Sequence, residues 1–111
     1  MNTRDFIEIG VAIKNNTDLE KIKSIINYVD FIQIMGIAHE GSQGQEFDEE
    51  TFNKVSEFKQ KYPETKLSID GGVDYVNAKK LSELCVDRVV VGSAIWKSDN
   101  IPDTIKEFEK I

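Results

Sequence analysis

The fold class is best read from the stretch "KLSIDGGV", residues 66–73. Its first five residues alternate polar and apolar side chains, as a β-strand does when its two faces meet different surroundings. The alternation ends at Asp70, and Gly71 and Gly72 follow it directly. Two glycines after a strand are typical of a turn, but they also let backbone N–H groups approach an anion closely. This stretch alone leaves both interpretations open.

Strand-like segments occur four times along the chain, and a helix-like segment follows each of them. The predicted strands are residues 6–13, 31–37, 66–70 and 88–95. The apolar residues at helical spacing between and after them are Leu19, Ile22, Ile25 and Ile26; Phe52, Val55 and Phe58; Ala78, Leu81, Leu84 and Cys85; Ile101, Ile105 and Phe108. Repeated strand–helix units predict a parallel sheet with right-handed crossovers. We expect one α/β domain over residues 1–111, because no linker interrupts the pattern.

Residue types at the ends of the helical segments predict where the helices begin and end. The expected signals are a capping box at Thr17 and Glu20, N-caps at Asp48 and Asn77, a first-turn proline at Pro102 and a stop at Pro63. Each signal lies beside a segment with apolar residues at helical spacing, so the two kinds of evidence agree.

The two faces of the predicted strands differ in character. Leu67 and Ile69 share one face of the third strand, whereas Ser68 and Asp70 share the other. In "FIQIM" isoleucines likewise alternate with bulky or polar side chains. An aliphatic face and a mixed face suit a (β/α)8 TIM-type barrel, with helices outside and a partly polar interior. The chain would form four βα units of such a barrel, a half-barrel, and an open sheet remains the alternative.

Composition limits the classes of partner. The chain of 111 residues carries 20 acidic and 14 basic side chains, a formal net charge of −6. It therefore has no general electrostatic affinity for nucleic acid or an anionic membrane. A single cysteine excludes an internal disulfide and a thiolate metal cage. These features favour a cytoplasmic location, and an anionic ligand would need a local site.

Three loops that contain glycine follow the last three predicted strands, at residues 36–47, 70–73 and 92–96. Ligands of parallel α/β proteins bind at this carboxyl end of the sheet. One such loop is usually only a turn, but three at successive strand ends favour a phosphate site. Neither a GxGxxG motif nor a P-loop occurs. Asp70 is a candidate acid/base or metal ligand, with a turn or helix cap as the alternative.

Three single residues have simpler interpretations. His39 is the only histidine and lies in a long polar loop, which predicts a solvated side chain. Cys85 lies on the apolar face of a predicted helix, which predicts core packing. We expect Trp96, which follows the last glycine loop, to pack beneath that loop.

Taken in order, the glycine loops resemble a known family. "MGIAHEGSQGQEF" (35–47), "SIDGGV" (68–73) with "NAKKL" (77–81), and "VVVGSAIW" (89–96) are similar to the C-terminal half of ribulose-phosphate 3-epimerases. These are phosphosugar enzymes on a (β/α)8 barrel. The resemblance implies strands five to eight of that barrel. It also implies interconversion of ribulose 5-phosphate and xylulose 5-phosphate by proton transfer at C3.

The resemblance also implies roles for individual residues. Asp70 would be a catalytic acid/base and a ligand of a divalent metal ion of the Zn, Fe, Mn or Co type. Met35 would border the reacting carbons. The backbone of the three loops would bind the substrate phosphate, through Gly44, Gly71, Gly72, Gly92 and Ser93.

Two departures from the family pattern bear on function. The loop "AHEGSQGQ" lacks the family's proline and part of its glycine run. The implied phosphate contact at Gly44 therefore matches the family pattern less well than those at Gly92 and Ser93. The family's remaining metal ligands and its second catalytic aspartate lie on early strands that this sequence does not contain. Activity would therefore need an N-terminal half. Alternatives are a non-catalytic phosphosugar-binding half-barrel that self-associates, or another phosphate-binding barrel enzyme. Open sheet edges predict a homo-oligomer or pairing with an N-terminal half-barrel.

Overall fold

The computed structural model describes residues 7–37 and 46–111, and its centre is one four-stranded parallel sheet. The strands are β1 (Gly10–Lys14), β2 (Phe31–Met35), β3 (Lys66–Asp70) and β4 (Arg88–Val90), paired in that order. The α-helices are α1 (Glu50–Lys61), α2 (Tyr75–Glu83), α3 (Ser93–Trp96) and α4 (Ile101–Glu109). The predicted α/β fold of four strand–helix units, part of a TIM-type barrel, is confirmed.

The connection between β1 and β2 is the exception to the strand–helix pattern. It contains two 3₁₀ helices, Leu19–Ile22 and Ile26–Tyr28, where an α-helix was expected. The run "SIINY" consists of weak helix formers, so the segment keeps only short turns. The predicted capping box is also wrong: the Asp18 side chain, not Thr17, accepts the Glu20 N–H, at 3.0 Å.

The remaining helix ends agree with the two proline signals but not with the two predicted N-caps. The N-cap of α1 is Glu49, so the prediction at Asp48 is wrong by one residue, although the Asp48 carboxylate accepts the Glu50 N–H at 3.0 Å. The N-cap of α2 is Asp74, and Asn77 only donates its N–H to that side chain at 2.8 Å, so the N-cap prediction at Asn77 is wrong. The two proline predictions are confirmed, since Pro102 lies in the first turn of α4 and α1 ends before Pro63.

The last strand is shorter than the sequence predicts. β4 ends at Val90, and a helical turn replaces the expected strand because the N–H groups of Ile95 and Trp96 donate to the Gly92 carbonyl at 3.0 and 3.1 Å. Trp96 is 76% exposed, so the expectation that it packs beneath the loop is wrong. Cys85 lies exposed in the turn after α2 and not in the core, which corrects the second packing prediction.

The apolar core lies on one side of the sheet. The strand residues in it are Ile13, Ile32, Ile34, Leu67 and Ile69, and the helices contribute Phe52, Val55, Phe58, Ala78 and Leu81. Each fully buried aliphatic side chain stabilises the fold by about 1.5–3 kcal/mol relative to exposure. Because side chains alternate along a strand, the residues between these face the opposite side. That second face carries Phe31, Gln33, Met35, Ser68 and Asp70.

At the amino ends of the strands the second face is filled by the chain's own side chains. The Phe31 ring lies over Gly10, where a Cβ atom would be only 2.1 Å from the ring. The Arg88 guanidinium stacks 4.5 Å from the centre of that ring and pairs with the Glu8 carboxylate at 3.0 Å. The contact joins the segment just before β1 to the start of β4, and a curved sheet, as in a partial barrel, would bring these two ends toward each other.

Helix length also bears on membrane association. Within residues 7–37 and 46–111, no helix has both the length and the apolar character that crossing a bilayer requires.

Candidate functional site

The carboxyl ends of β2 and β3 bring two of the predicted site residues side by side. Met35 and Asp70 are partners in the register of the two strands. The neighbouring residues Ile34 and Ile69 are buried in the core, so Met35 and Asp70 face the opposite side. The sheet therefore presents one thioether and one carboxylate together at the end where ligands of parallel α/β folds bind.

Gly71 and Gly72 form a tight turn directly after Asp70. Their φ angles are 104° and 70°, values that favour glycine. A Cβ atom on Gly72 would lie 2.8 Å from the Phe47 backbone nitrogen, and one on Gly71 would lie 3.3 Å from the Ile37 side chain. The turn and its close packing thus account for both glycines without a ligand, although Gly72 also borders a cavity.

Gly92 has no comparable structural cause. Its φ is −114°, and a Cβ atom added there would meet no atom of residues 7–37 or 46–111 within 4 Å. The residue is exposed, at the turn from β4 into α3. Neither packing nor a positive φ requires glycine, so the bare backbone at this point leaves room for a group outside the chain.

A cavity of about 410 Å³ lies beside the turns that follow β3 and β4, and we call it the β3–β4 cavity. Gly72 and Ser93 both line it, so the structure brings together two of the residues predicted to bind phosphate. Gly71 and Gly92 flank those two in sequence without lining the cavity. Gly44 and His39 lie outside the residues that the structure describes.

Charge is unevenly distributed around the β3–β4 cavity. Of the residues that the structure describes, three carboxylates line it, those of Glu46, Glu49 and Asp74, together with one cationic side chain, that of Lys97. The Asp74 carboxylate accepts the Asn77 N–H at 2.8 Å and so occupies the N-terminus of α2. An anion in this cavity would consequently depend on the β4–α3 side. No sequence pattern singled out Lys97, because a lone lysine after a short helix carries no motif.

A short polar chain on the second face of the sheet ends at Met35. The Ser68 hydroxyl donates to the Gln33 side-chain oxygen at 3.3 Å, and Gln33 Nε2 lies 3.7 Å from Met35 Sδ. Sequence reasoning placed the three residues on one face but did not identify this link, which depends on strand register. These two hydrogen bonds restrain the Met35 thioether next to Asp70.

The donors around Asp70 do not complete a divalent-metal site. Its side chain makes no hydrogen bond or ion pair with any residue in the described ranges. Within residues 7–37 and 46–111 no group of three or more His, Cys, Asp or Glu side chains is placed to bind an ion. Protein metal sites of the implied type use about three or four such ligands. Asp70 would be one of them, and the others would have to come from elsewhere.

Comparison with known proteins gives a consistent family. The model of the "Ribulose-phosphate 3 epimerase family" matches residues 5–96. Among curated proteins, ribulose-phosphate 3-epimerase of Helicobacter pylori is 36% identical over 92% of this chain and 48% of its own length. The enzyme of that name from Buchnera aphidicola is 29% identical over 94% of this chain and 47% of its own length. The chain spans about half the length of these curated relatives.

A solved structure supports the fold alone. The chain is similar to thiamine phosphate pyrophosphorylase from Bacteroides thetaiotaomicron with a TM-score of 0.53 and 15% sequence identity, over 99% of this chain and 54% of that one. The family assignment rests on the sequence match, which covers most of the chain. The chain belongs to the ribulose-phosphate 3-epimerase family.

Proposed function

We propose that this chain is the phosphosugar-binding half of a ribulose-phosphate 3-epimerase, which interconverts ribulose 5-phosphate and xylulose 5-phosphate. The observation that carries the proposal is the placement of Met35 and Asp70 beside each other at the carboxyl edge of the sheet. Two of the implied phosphate contacts, Gly72 and Ser93, line one cavity among the loops that follow this edge. Family membership supplies the reaction.

In the proposed reaction Asp70 exchanges a proton with C3 of the sugar. The carboxylate removes the C3 proton, and the electrons of the C–H bond form a C2–C3 double bond as the C2 carbonyl becomes an enediolate. A second acid returns a proton to C3 from the opposite face, which inverts that carbon. Met35 borders the reacting carbons on the same face of the sheet as Asp70. Asp70 is one of the two groups that the reaction needs.

The second group would come from a completing half-barrel. The proposal is supported by the length of the chain, about half that of its relatives, and by β1 and β4, which each pair with one strand only in the described ranges. An N-terminal half-barrel or a second copy of the chain would both add strands beside β1 and β4. A cytoplasmic location is part of the proposal and is supported by the composition.

A divalent metal ion is supported by the family resemblance but not by the donors that this structure describes. When bound, such an ion would stabilise negative charge on the enediolate. Asp70 is its only candidate ligand here, so the remaining ligands would belong to the completing half. The proton transfer at Asp70 is assigned without reference to the ion.

The proposal is tested by completing the barrel. The chain is combined with the amino-terminal half of the Helicobacter pylori relative and a divalent metal, and interconversion of the two pentose phosphates is followed by NMR. We expect activity that Asp70→Asn abolishes and that Asp99→Asn, an exposed control, retains. Equal activity of Asp70→Asn and the unsubstituted chain would refute the role of Asp70.

A second candidate function is phosphosugar binding without catalysis, in a half-barrel that associates with itself. The observation that favours it is the isolation of Asp70, which has no metal-binding cluster around it in the described residues. This function predicts pentose-phosphate binding that survives Asp70→Asn and is lost in Ser93→Glu. Binding of this kind by a completed barrel that shows no interconversion would favour the second function over the first.

A further inference from the structure

Lys97 lies at the β3–β4 cavity, which none of the other lysines in the described ranges lines. It directly follows α3, and its backbone N–H donates to the Ser93 carbonyl at 2.9 Å. Residues four apart in a helical turn lie on the same side. Lys97 and Ser93 accordingly line the same β3–β4 cavity, and among the described residues Lys97 is the only positively charged side chain that lines it.

The Lys97 ammonium group is available to a ligand. Although Glu46, Glu49 and Asp74 line the same cavity, Lys97 forms no ion pair with them or with any other residue in the described ranges. Elsewhere on the chain, Lys59 pairs with Asp87 at 3.0 Å and Lys110 with Glu107 at 3.0 Å. Lys97 thus combines a place in the cavity with an uncommitted charge.

The negative charges around the cavity make the Lys97 cation important for binding an anion. Three carboxylates and one ammonium group give the described part of the lining a formal charge of −2. A phosphate monoester is itself close to doubly negative at neutral pH, so carboxylates near it oppose binding. Backbone N–H groups at Ser93 carry only partial charges. A full positive charge at Lys97 would offset part of the repulsion.

We propose that Lys97 is a substrate-binding residue that contacts the phosphate group of the sugar in the β3–β4 cavity. This inference rests on the proposed function, since it assigns a further contact to the same phosphate site. It predicts that the affinity depends on the Lys97 charge, and that removing a neighbouring carboxylate strengthens binding. Glu49 is suited to the second test, because its side chain caps no helix N–H.

The test is a calorimetric titration of the full 111-residue chain with ribulose 5-phosphate and, separately, with inorganic phosphate. Lys97→Ala should weaken binding of both about fivefold at low salt, the size expected for an exposed charge pair. Lys97→Arg should bind as the unsubstituted chain does. Lys106→Ala is the matched control, because it makes the same charge change on α4, away from the cavity. Glu49→Gln should bind both ligands more tightly.

Salt concentration provides an independent readout. Screening shortens the reach of an exposed charge to about 3 Å at 1 M salt, so the difference between Lys97→Ala and the unsubstituted chain should shrink. If Lys97→Ala binds as tightly as the unsubstituted chain at low salt, the inference is wrong and the proposed function stands. If the folded, unsubstituted chain binds neither ligand, both are wrong.

Discussion

Met35 and Asp70 occupy paired positions at the carboxyl ends of β2 and β3, on the side of the sheet opposite the apolar core. The pairing follows from the parallel register, which places one residue of each strand at the same height. The polar chain from Ser68 through Gln33 reaches Met35 and restrains its thioether. The candidate reactive carboxylate therefore lies beside a side chain of defined position.

Two glycine substitutions separate fold from ligand binding. Gly72→Ala should lower the free energy of unfolding by more than about 1 kcal/mol, because a left-handed φ costs a non-glycine residue that much and the added methyl meets the Phe47 backbone at 2.8 Å. Gly92→Ala should leave the unfolding midpoint unchanged, since a Cβ there meets none of the described residues within 4 Å. It should nevertheless weaken pentose-phosphate binding. Urea denaturation and titration of both variants check this, and equal unfolding midpoints for the two variants would contradict it.

The core should be sensitive at one aromatic side chain. Phe58 on α1 is fully buried against the sheet. Phe58→Ala should lower the free energy of unfolding by about 3–5 kcal/mol, a large fraction of the total stability of a small domain. Val76→Ala is the control, because Val76 is exposed on α2. Circular dichroism during urea denaturation compares the two, and a loss under 1 kcal/mol at Phe58 would contradict the packing described.

Stability should depend on pH through Asp87. Burial raises the pKa of its carboxyl, but hydrogen bonds from the Leu67 N–H at 2.8 Å and from Lys59 at 3.0 Å outweigh this, so the pKa lies below the ordinary value of 3.8. A depressed carboxyl pKa stabilises the fold above the ordinary value. That contribution is lost as the pH falls through the lower, folded value.

The Asp87 prediction is tested with Asp87→Asn. The substitution should reduce the free energy of unfolding at pH 7 by about 0.5–1.5 kcal/mol, the range for a lost hydrogen bond. The deficit should shrink as the pH falls below 3.8. Urea denaturation across pH 2–7 measures it, with Asp99→Asn as a control. A deficit that stays constant with pH would show that the Asp87 charge is unimportant.

The isolated chain should associate. Within the described ranges β1 and β4 each pair with one strand only, and Val90 on β4 is 41% exposed. Unpaired edges and exposed apolar groups favour contact with another chain. Sedimentation should show dimers or larger species at micromolar concentration, and Val90→Lys should shift the population toward monomer. A single monomeric species that unfolds cooperatively would be the contrary result.

The sequence predicted the strands well where alternation was regular. β3 has the predicted bounds, and β2 begins where expected, because aliphatic residues alternate with polar residues in β3 and with bulky or polar residues in β2. Prediction was wrong at the first connection and at the end of β4. In both places short-range hydrogen bonds, from the Asp18 cap and to the Gly92 carbonyl, determine the backbone. Such bonds leave little trace in hydrophobic periodicity.

The sequence identified individual residues of the candidate site, but it did not show which of them lie together in the fold. Asp70 and the glycines after it stand out in the sequence, but whether they contact a ligand or only form a turn depends on packing. The contact of Gly72 with Phe47 supports the turn, whereas the described residues leave open space at Gly92, where a ligand could lie. Lys97 lines the cavity because the helical turn of α3 places it on the same side as Ser93. Residue spacing in the sequence does not predict this short helix.

We propose above all that a phosphosugar binds at the turns after β3 and β4. The most direct test is a titration of the ¹⁵N-labelled chain with ribulose 5-phosphate, followed through backbone amide resonances. We predict saturable shifts concentrated at Gly72, Gly92 and Ser93, and reversal of these shifts by inorganic phosphate. A folded chain whose amide resonances at these three residues do not respond to ribulose 5-phosphate would contradict the claim.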